Sequence, residues 1–186
     1  LYTRHGNEVT RQYPELHNVP IEDGSDVVLD GEVAVVNPET GAIEFEGIME
    51  RFRLKKPLSI REASVRQPVH YFVFDILRYK GEDVRSWPLT ERKTLLNEVL
   101  EDNRYYSRTL AVDGAGMALF EAIREKELEG IVAKRKDSPY VSRRDANWVK
   151  IINYKYATVR IAGYRKNQFG WLAQHNGRAV GIIELA

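Results

Sequence analysis

The motif Glu129-Gly130-Ile131-Val132-Ala133-Lys134 places a carboxylate and an ammonium at the two ends of a short apolar run. Three small or branched apolar residues in succession are typical of a short buried strand, so the two charges are predicted at opposite ends of that strand. Gly130 removes a side chain, which would let the backbone approach another group closely. An ordinary strand with solvated, charged ends would give the same pattern, and a short motif alone does not separate these interpretations.

The composition indicates a globular protein without disulfides. Of the 186 residues, 43% are hydrophobic and 30% are charged, which is the balance of ordinary globular domains. No apolar run approaches the roughly 20 residues that a membrane-spanning helix needs. The absence of cysteine excludes thiolate metal sites and fits a reducing compartment. We therefore expect a cytoplasmic protein without a membrane partner.

Basic and aromatic residues are concentrated between positions 134 and 166. This segment contains ten Lys and Arg against two Asp, whereas the net charge of the whole chain is only +1. A basic surface with interleaved aromatic rings attracts phosphate backbones. Solvated strand faces would give a similar pattern, so charge alone leaves both interpretations open. The interleaved aromatic residues are Tyr140, Trp148, Tyr154, Tyr156 and Tyr164.

Hydrophobic periodicity predicts strands alternating with helices over most of the chain. Residues 57–68 are polar and give no clear periodic signal. The helix that ends near residue 102 is predicted to begin at an N-cap, Thr90. The next helix is predicted to be capped by Asp113 and to bury an apolar stripe that includes Met117. Strands are predicted over residues 26–36, 69–77, 105–110 and 148–152, and helices over 47–54, 90–102 and from 113 to about 127.

Three carboxylates lie in the interior of the two strongest predicted strands. Alternation places Asp30 and Glu32 on one face of strand 26–36, among small apolar residues. Burying both would be costly without a cation or hydrogen-bond donors, so the pair is a candidate metal or phosphate site. An edge strand with a solvated face is the alternative. Asp75 interrupts the nearly continuous apolar strand 69–77, and the apolar pattern of this strand does not explain why a carboxylate lies there.

The pattern changes near residue 156 to short strands separated by glycine-containing turns. These strands are predicted over residues 158–164, 169–175 and 178–185 and indicate the start of a small antiparallel unit. We place the domain boundary there. Residues 1–155 are predicted to form one α+β domain, and residues 156–186 the beginning of a second, incomplete one.

Five segments, in this order, resemble the motifs of the covalent nucleotidyltransferases, and specifically of bacterial ATP-dependent DNA ligases of the ligase D and prophage types. The resemblance implies an α+β, ATP-grasp-like nucleotidyltransferase (adenylation) domain with two antiparallel sheets and flanking helices, followed by the start of an OB-fold β-barrel. Two connecting stretches, residues 45–51 and 88–93, are also similar. The five segments are Thr3-Arg4-His5-Gly6-Asn7, Leu29-Asp30-Gly31-Glu32, Phe72-Val73-Phe74-Asp75, Glu129 to Lys134, and Trp148-Val149-Lys150.

The same resemblance implies how matching residues would bind ATP. Arg4 would contact the ribose or the phosphates, and Glu32 would help to hold the ribose or a metal ion. Phe74 would stack on the adenine, as suits an aromatic ring at the rim of an apolar strand. Lys134 and Lys150 would be the catalytic lysines at the α-phosphate, where nucleotidyl transfer needs charge neutralisation.

The resemblance also implies a divalent metal ion. Glu32 and Glu129 would be its two acidic contacts. Oxygen ligands in a chain without cysteine suit Mg²⁺ or Mn²⁺.

The implied reaction is the sealing of nicks in duplex DNA, by a monomer of bacterial or phage origin. It would proceed through a lysine–AMP intermediate and a DNA-adenylate, with ATP as the adenylate donor. An RNA ligase or a capping-type nucleotidyltransferase is an alternative in the same superfamily. A non-catalytic nucleic-acid-binding remnant is an alternative of another class.

Three features depart from the ligase pattern. The sequence contains no Lys-x-Asp-Gly segment, which supplies the family's AMP-accepting lysine. Ile152 stands where a second lysine is expected after Lys150, with Lys155 as the candidate to compensate. The closing motif of the OB-fold domain is also missing. We expect the chain to be a fragment of a ligase, and to form no stable protein–AMP adduct by itself.

Overall fold

A computed structural model describes residues 1–37, 43–166 and 169–184, with only the backbone for residues 45 and 46. It contains both helices and sheets, so the predicted α+β class is confirmed. The chain divides into two compact units. The first comprises Leu1–Leu119 and Val132–Lys150, and the second Phe120–Ile131 and Ile151–Ala186. The predicted domain boundary between residues 155 and 156 lies within the second unit and stays a prediction.

Four α-helices are described: α1 (Phe45–Arg53), α2 (Pro57–Arg66), α3 (Leu89–Val99) and α4 (Gly116–Glu125). Helix α2 occupies residues that gave no periodic signal. Its first residue is a proline, which suits a helix start because the N–H that proline lacks would have no helical partner there. None of the four is long and apolar enough to cross a membrane, and no other helix in the described residues is.

Two predicted helix caps are wrong. Helix α3 begins at Leu89 after Pro88, and no described side chain caps its first turn. The Thr90 N–H instead donates to the carbonyl of Lys136. Helix α4 begins at residue 116, and the Asp113 carboxylate pairs with the ammonium of Lys136. Met117 was predicted to be buried but is 78% exposed. None of the described residues of α4 is fully buried.

A five-stranded sheet forms the centre of the first unit. It consists of β1 (Val27–Val36), β2 (Ile43–Glu44), β3 (Val69–Tyr79), β4 (Glu82–Asp83) and β5 (Tyr106–Arg108). The order is β2-β1-β3-β4, and β5 pairs with β3. Only β5 runs parallel to its neighbour, so the expectation of a wholly antiparallel sheet is wrong at this pair. The chain between β3 and β5 contains α3, and such a crossover allows the next strand to run in the same direction.

The core of the first unit lies between one face of this sheet and α3. Strand β1 alternates as predicted, with its odd-numbered residues turned to the core. Strand β3 does not, because Phe74 and Leu77 have no partner on β1. These two bulges let Val73 and Ile76, three positions apart, both reach the core, and such bulges commonly redirect side chains next to functional sites. The buried core includes Val35, Val69, Val73, Ile76, Leu96, Val99, Leu100 and Tyr106.

Five shorter strands follow: β6 (Gly130–Lys134), β7 (Trp148–Ile152), β8 (Arg160–Tyr164), β9 (Trp171–His175) and β10 (Arg178–Ile183). Strands β6 and β7 form a two-stranded sheet. The prediction that β6 is buried is wrong, since Val132 is 51% exposed and β7 is the one neighbour of β6 in the described sheets. In the second unit, β8, β9 and β10 form an antiparallel meander, as the glycine-punctuated pattern predicted.

The glycine in the first motif is required by a close backbone contact within the second unit. Gly130 has φ of 149°, and a Cβ at this position would lie 2.1 Å from the carbonyl oxygen of Ile151. Both observations exclude any other residue without a local rearrangement. The predicted close approach at Gly130 is therefore confirmed, and the approaching group is the backbone of the paired strand.

Candidate active site

Lys134, the last residue of β6, has its ammonium enclosed by two aromatic rings. Nζ lies 3.4 Å from the centroid of the Trp148 ring and 4.4 Å from that of Phe74, and both distances are in the range of cation–π contacts. The ammonium is buried and finds no hydrogen-bond partner among the described residues. Burial, the largest cause, lowers the pKa of Lys134 from 10.5 to about 8, because a desolvated ammonium loses its hydration.

The two rings of this aromatic cage come from different strands. Phe74 is one of the unpaired, bulged residues of β3, so it lies outside the regular ladder with β1. Trp148 is the first residue of β7. The rings meet edge to face, with centroids 6.1 Å apart and planes at 77°. This is a favoured aromatic geometry, and it keeps the two rings packed against each other beside Lys134.

Asp75, the residue that the apolar pattern of β3 left unexplained, is paired with a buried arginine. Both side chains are fully buried. Arg92 of α3 donates from Nε to one carboxylate oxygen at 2.8 Å and from Nη2 to the other at 3.0 Å. Its Nη1 donates to the carbonyls of Trp87 and Ser138. Arg92 thereby joins β3, the start of α3 and the segment that follows β6.

Tyr140 connects the cage to Asp30 on β1. Its hydroxyl donates to Asp30 Oδ2 at 2.7 Å, and its ring edge meets Trp148 with centroids 5.7 Å apart. Its backbone N–H donates to the carbonyl of Arg85 at 2.8 Å. Burial first, and then the bond to Asp30, raise the pKa of the Tyr140 phenol well above its usual value. The phenol therefore remains a proton donor at physiological pH.

The charges around the cage leave an excess of positive charge. Asp75 and Asp30 raise the pKa of Lys134, whereas Lys93 and Arg92 lower it by repulsion. Lys93 is half-buried on α3, and burial lowers its own pKa. Three cations thus face two carboxylates, and the described residues offer the Lys134 ammonium no hydrogen-bond acceptor. An anionic ligand such as a phosphate would supply that acceptor.

Comparison with known proteins identifies the family. Residues 1–151 match the family model described as the ATP dependent DNA ligase domain. The chain belongs to this ligase family. It is 42% identical to the SPbeta prophage-derived DNA ligase-like protein LigB of Bacillus subtilis, over 99% of this chain and 65% of that protein. The predicted resemblance to prophage and ligase D enzymes is confirmed.

Two further relatives support the assignment to the ligase family. The bifunctional non-homologous end joining protein LigD of Bacillus subtilis is 31% identical over 90% of this chain and 30% of its own length. A solved structure of mycobacterial DNA ligase D, complexed with ATP and MES, is 26% identical and has a TM-score of 0.64. The matched region covers 98% of this chain and 58% of the ligase D chain. The chain therefore spans less than two thirds of each of these ligases.

The predicted nucleotide contacts of the ligase motifs lie at several separate positions in the first unit. Phe74 and Lys134 come together in the cage. Glu32 is exposed on β1, opposite Phe72 of β3, on the strand face that also carries Asp30. Arg4 is exposed in the turn near the N-terminus. Lys150 is exposed in the middle of β7, and its phosphate contact stays a prediction.

The metal contacts of the ligase motifs also stay predictions. Glu129 lies in the second unit just before β6, where its carbonyl accepts a hydrogen bond from the Asn153 N–H at 2.8 Å. Over residues 1–37, 43–166 and 169–184, no group of three or more His, Cys, Asp or Glu is placed to hold a metal ion. A divalent ion in such a ligase domain would fit one or two carboxylates completed by phosphate oxygens and water, which is common for Mg²⁺.

Sequence patterns missed the residues that support the cage. The sequence places Tyr140 and Trp148 on a basic, aromatic surface, whereas in this ligase domain they pack together next to Lys134. Asp75 was the available signal, because a carboxylate in an apolar strand requires a buried partner. That partner is Arg92, which lies in one of the ligase-like connecting stretches. Lys155, the candidate replacement for the missing lysine, pairs with Glu127 at 2.8 Å.

Proposed function

We propose that this protein is an ATP-dependent DNA ligase that seals nicks in duplex DNA through lysine–AMP and DNA-adenylate intermediates. The observation that carries the proposal is the buried ammonium of Lys134, which lies between Phe74 and Trp148 and has no acceptor in the described part of the chain. A cation desolvated in this way interacts strongly with a phosphate, because the interaction is not screened by water. Membership of the ATP-dependent DNA ligase family supplies the reaction class.

The chain's own residues would bind and orient the nucleotide. Lys134 would neutralise charge at the α-phosphate, with Lys150 as a second cation and Arg4 at the ribose or the phosphates. Phe74 would pack against the adenine. Neutralising and positioning the phosphate are the main requirements of this class of transfer, since the protein contributes little other covalent chemistry. ATP would supply the adenylate group.

A divalent ion, Mg²⁺ or Mn²⁺, would add charge neutralisation at the same phosphates. Glu32 and Glu129 would be its carboxylate contacts. Replacing either residue by Ala in the full-length protein should reduce adenylation by more than any loss of folded protein explains. The melting temperature measures that loss. We expect Glu129→Ala to be the more damaging change. Equal losses of folded protein and activity would assign these residues a structural role instead.

Duplex DNA is the proposed macromolecular partner, bound by a monomer. The relatives named above are DNA ligases or DNA ligase-like proteins, and residues 134–166 carry a basic excess. Each phosphate that the protein neutralises should steepen the dependence of log K on log salt concentration by about 0.9. DNA binding that does not weaken between low and moderate salt would contradict this part of the proposal.

A nick-sealing assay tests the function directly. The full-length protein is incubated with ATP and Mg²⁺ and with a duplex that carries one nick with a 5′-phosphate, in DNA and in RNA versions. The expected result is ATP-dependent sealing of the DNA nick, together with a protein mass increase of one adenylate. Sealing of RNA alone would indicate an RNA ligase. DNA binding without an adenylate adduct would indicate a non-catalytic module.

A further inference from the structure

Within the described residues the ammonium of Lys134 has no hydrogen-bond partner, although two carboxylates act on it electrostatically. Asp30 and Asp75 are directly opposite each other on β1 and β3, so their side chains emerge on the same face of the sheet. Both raise the pKa of Lys134. Buried polar groups almost always find a partner, and a buried ammonium close to carboxylates would be expected to form an ion pair with one of them.

Each carboxylate is already held by a different donor. Asp75 receives two bonds from Arg92 and one from the Ile76 N–H at 2.9 Å. Asp30 receives the Tyr140 hydroxyl at 2.7 Å. The Asp75 pair is fully buried and links several elements of the fold, whereas the bond to Asp30 joins half-buried groups. The Asp30 carboxylate is therefore the one that a local change could release to Lys134.

We propose that Tyr140 is a positioning residue that withholds the Asp30 carboxylate from Lys134 and so keeps the Lys134 ammonium available to a phosphate. The withholding rests on the bond from Tyr140 to Asp30 and on the packing of both Tyr140 and Lys134 against the Trp148 ring, while the identity of the phosphate as that of a nucleotide rests on the proposed function. Tyr140 suits this role because it is fixed at both ends, by the bond from its N–H to Arg85 and by the bond from its hydroxyl to Asp30.

Removing one oxygen atom separates this role from simple packing. Tyr140→Phe keeps the ring against Trp148 but leaves Asp30 without its donor. The charged or titratable groups that act on Lys134 are then Asp30 from β1, Asp75 from β3, and Arg92 and Lys93 from α3. Arg92 remains committed to Asp75. Lys93 is acted on by Asp75 rather than Asp30. The Lys134 ammonium is therefore the cation that can turn to Asp30, and it would leave the aromatic cage to do so.

Nuclear magnetic resonance of the full-length protein with ¹³C-labelled lysine measures this movement without any nucleotide. Ring currents of Trp148 and Phe74 should shift the ε-methylene signal of Lys134 upfield of the other lysines, and its loss in Lys134→Arg assigns it. In Tyr140→Phe the signal should move to the range of the other lysines. In the double variant Tyr140→Phe/Asp30→Asn it should return, because the competing carboxylate is gone.

Tyr79→Phe is the matched control. It removes a hydroxyl that donates to another aspartate, Asp23, at 2.9 Å on the surface. It should leave the Lys134 signal in place. A Lys134 signal that stays at its original position in Tyr140→Phe would overturn the proposal, as would a signal that moves equally in Tyr79→Phe.

Nucleotide binding separates this inference from the proposed function. Tyr140→Phe should weaken ATP binding by about tenfold, the equivalent of one charge-assisted hydrogen bond, and the double variant should recover it. A Lys134 signal that moves while ATP affinity is unchanged would uphold the withholding of Asp30 and overturn the role of Lys134 at the nucleotide.

Discussion

Two buried cations in the first unit, those of Arg51 and Lys134, differ in their hydrogen-bond partners. The guanidinium of Arg51, on α1, is almost surrounded by acceptors. It donates to both carboxylate oxygens of Glu15, at 2.7 and 3.1 Å, and to the carbonyls of Gln67 and Gln12, each at 2.8 Å. Its Nε finds no partner in the described ranges. The ammonium of Lys134 contacts two aromatic rings and has no acceptor among the residues that the structure describes.

The difference separates a structural cation from one that is available to a ligand. A buried charge with a complete set of partners fixes the elements that supply them, and removing one partner is strongly destabilising. A buried charge without an acceptor costs folding free energy, and is retained where a ligand completes it. Burial alone would have classed Arg51 and Lys134 together, whereas their hydrogen bonds distinguish them.

Breaking the ion pair between Arg51 and Glu15 should have the largest effect on stability. Glu15→Gln leaves the Arg51 guanidinium buried without its counter-charge and weakens the acceptor of the Val69 N–H, which lies 3.0 Å from Glu15 Oε1. We expect the free energy of unfolding to fall by about 3–5 kcal/mol, as measured by urea denaturation. The control is Asp26→Asn, which disrupts the exposed pair with Arg78 and should change stability by no more than about 1 kcal/mol. Equal effects of the two substitutions would contradict the assignment.

Removing the unpaired cation should affect binding far more than stability. Lys134→Met keeps an unbranched stem between Trp148 and Phe74 but removes the charge. ATP affinity should fall by about 10- to 100-fold, the equivalent of about 1.5–3 kcal/mol for a bond to a charged group. The urea midpoint should stay the same or rise, because the desolvated ammonium is gone. A large loss of stability with unchanged ATP affinity would place Lys134 with Arg51 as a structural cation.

Stability and ATP affinity should both depend on pH through Lys134. The pKa of Lys134 is about 8 in the folded chain against 10.5 for an ordinary lysine. Between these values the unfolded chain binds more protons, so the Lys134 contribution to stability rises with pH from about 8 to about 10.5. ATP affinity should fall over the start of this range, as the ammonium loses its proton. Lys134→Met removes both trends, so subtracting its profile isolates them from other titrating groups.

The smallest effect is expected at Lys93. Lys93→Met removes a like charge that lowers the pKa of Lys134. The pKa of Lys134 should therefore rise, by less than burial has lowered it, because burial is the larger cause. The ¹³C titration of the Lys134 ε-methylene group measures the shift. A fall in this pKa would show that Lys93 does not repel Lys134 in solution.

The sequence predicted those parts of the fold that repeat locally. The main strands, α1, α3 and the α+β class followed from periodicity, and the ordered motifs identified the family. Helix α2 was missed because its burial is not periodic. Ile60 is its one fully buried residue, whereas Leu58 and Val65 are exposed. Without an apolar stripe, the pattern contains no helical signal.

The candidate site was predicted less completely, for a different physical reason. Phe74 and Lys134 belong to recognisable motifs, so their residue types and order were sufficient. The partners of Asp75 and Asp30 depend on which distant segments meet, and periodicity does not specify this. The bulge at Phe74 is likewise set by its pairing with β1, and a strand pattern read in isolation does not contain it.

The hydrogen bond between Tyr140 and Asp30 joins residues 110 positions apart. Contacts that close such long loops must overcome a large loss of chain entropy, so they tend to form after local structure. We therefore expect the walls of the Lys134 cage to meet only once β1 and β3 have paired, which would make the site one of the last parts of the first unit to fold. Pulse-labelling hydrogen exchange during refolding would test this order. Protection of the Tyr140 amide before those of β3 would contradict it.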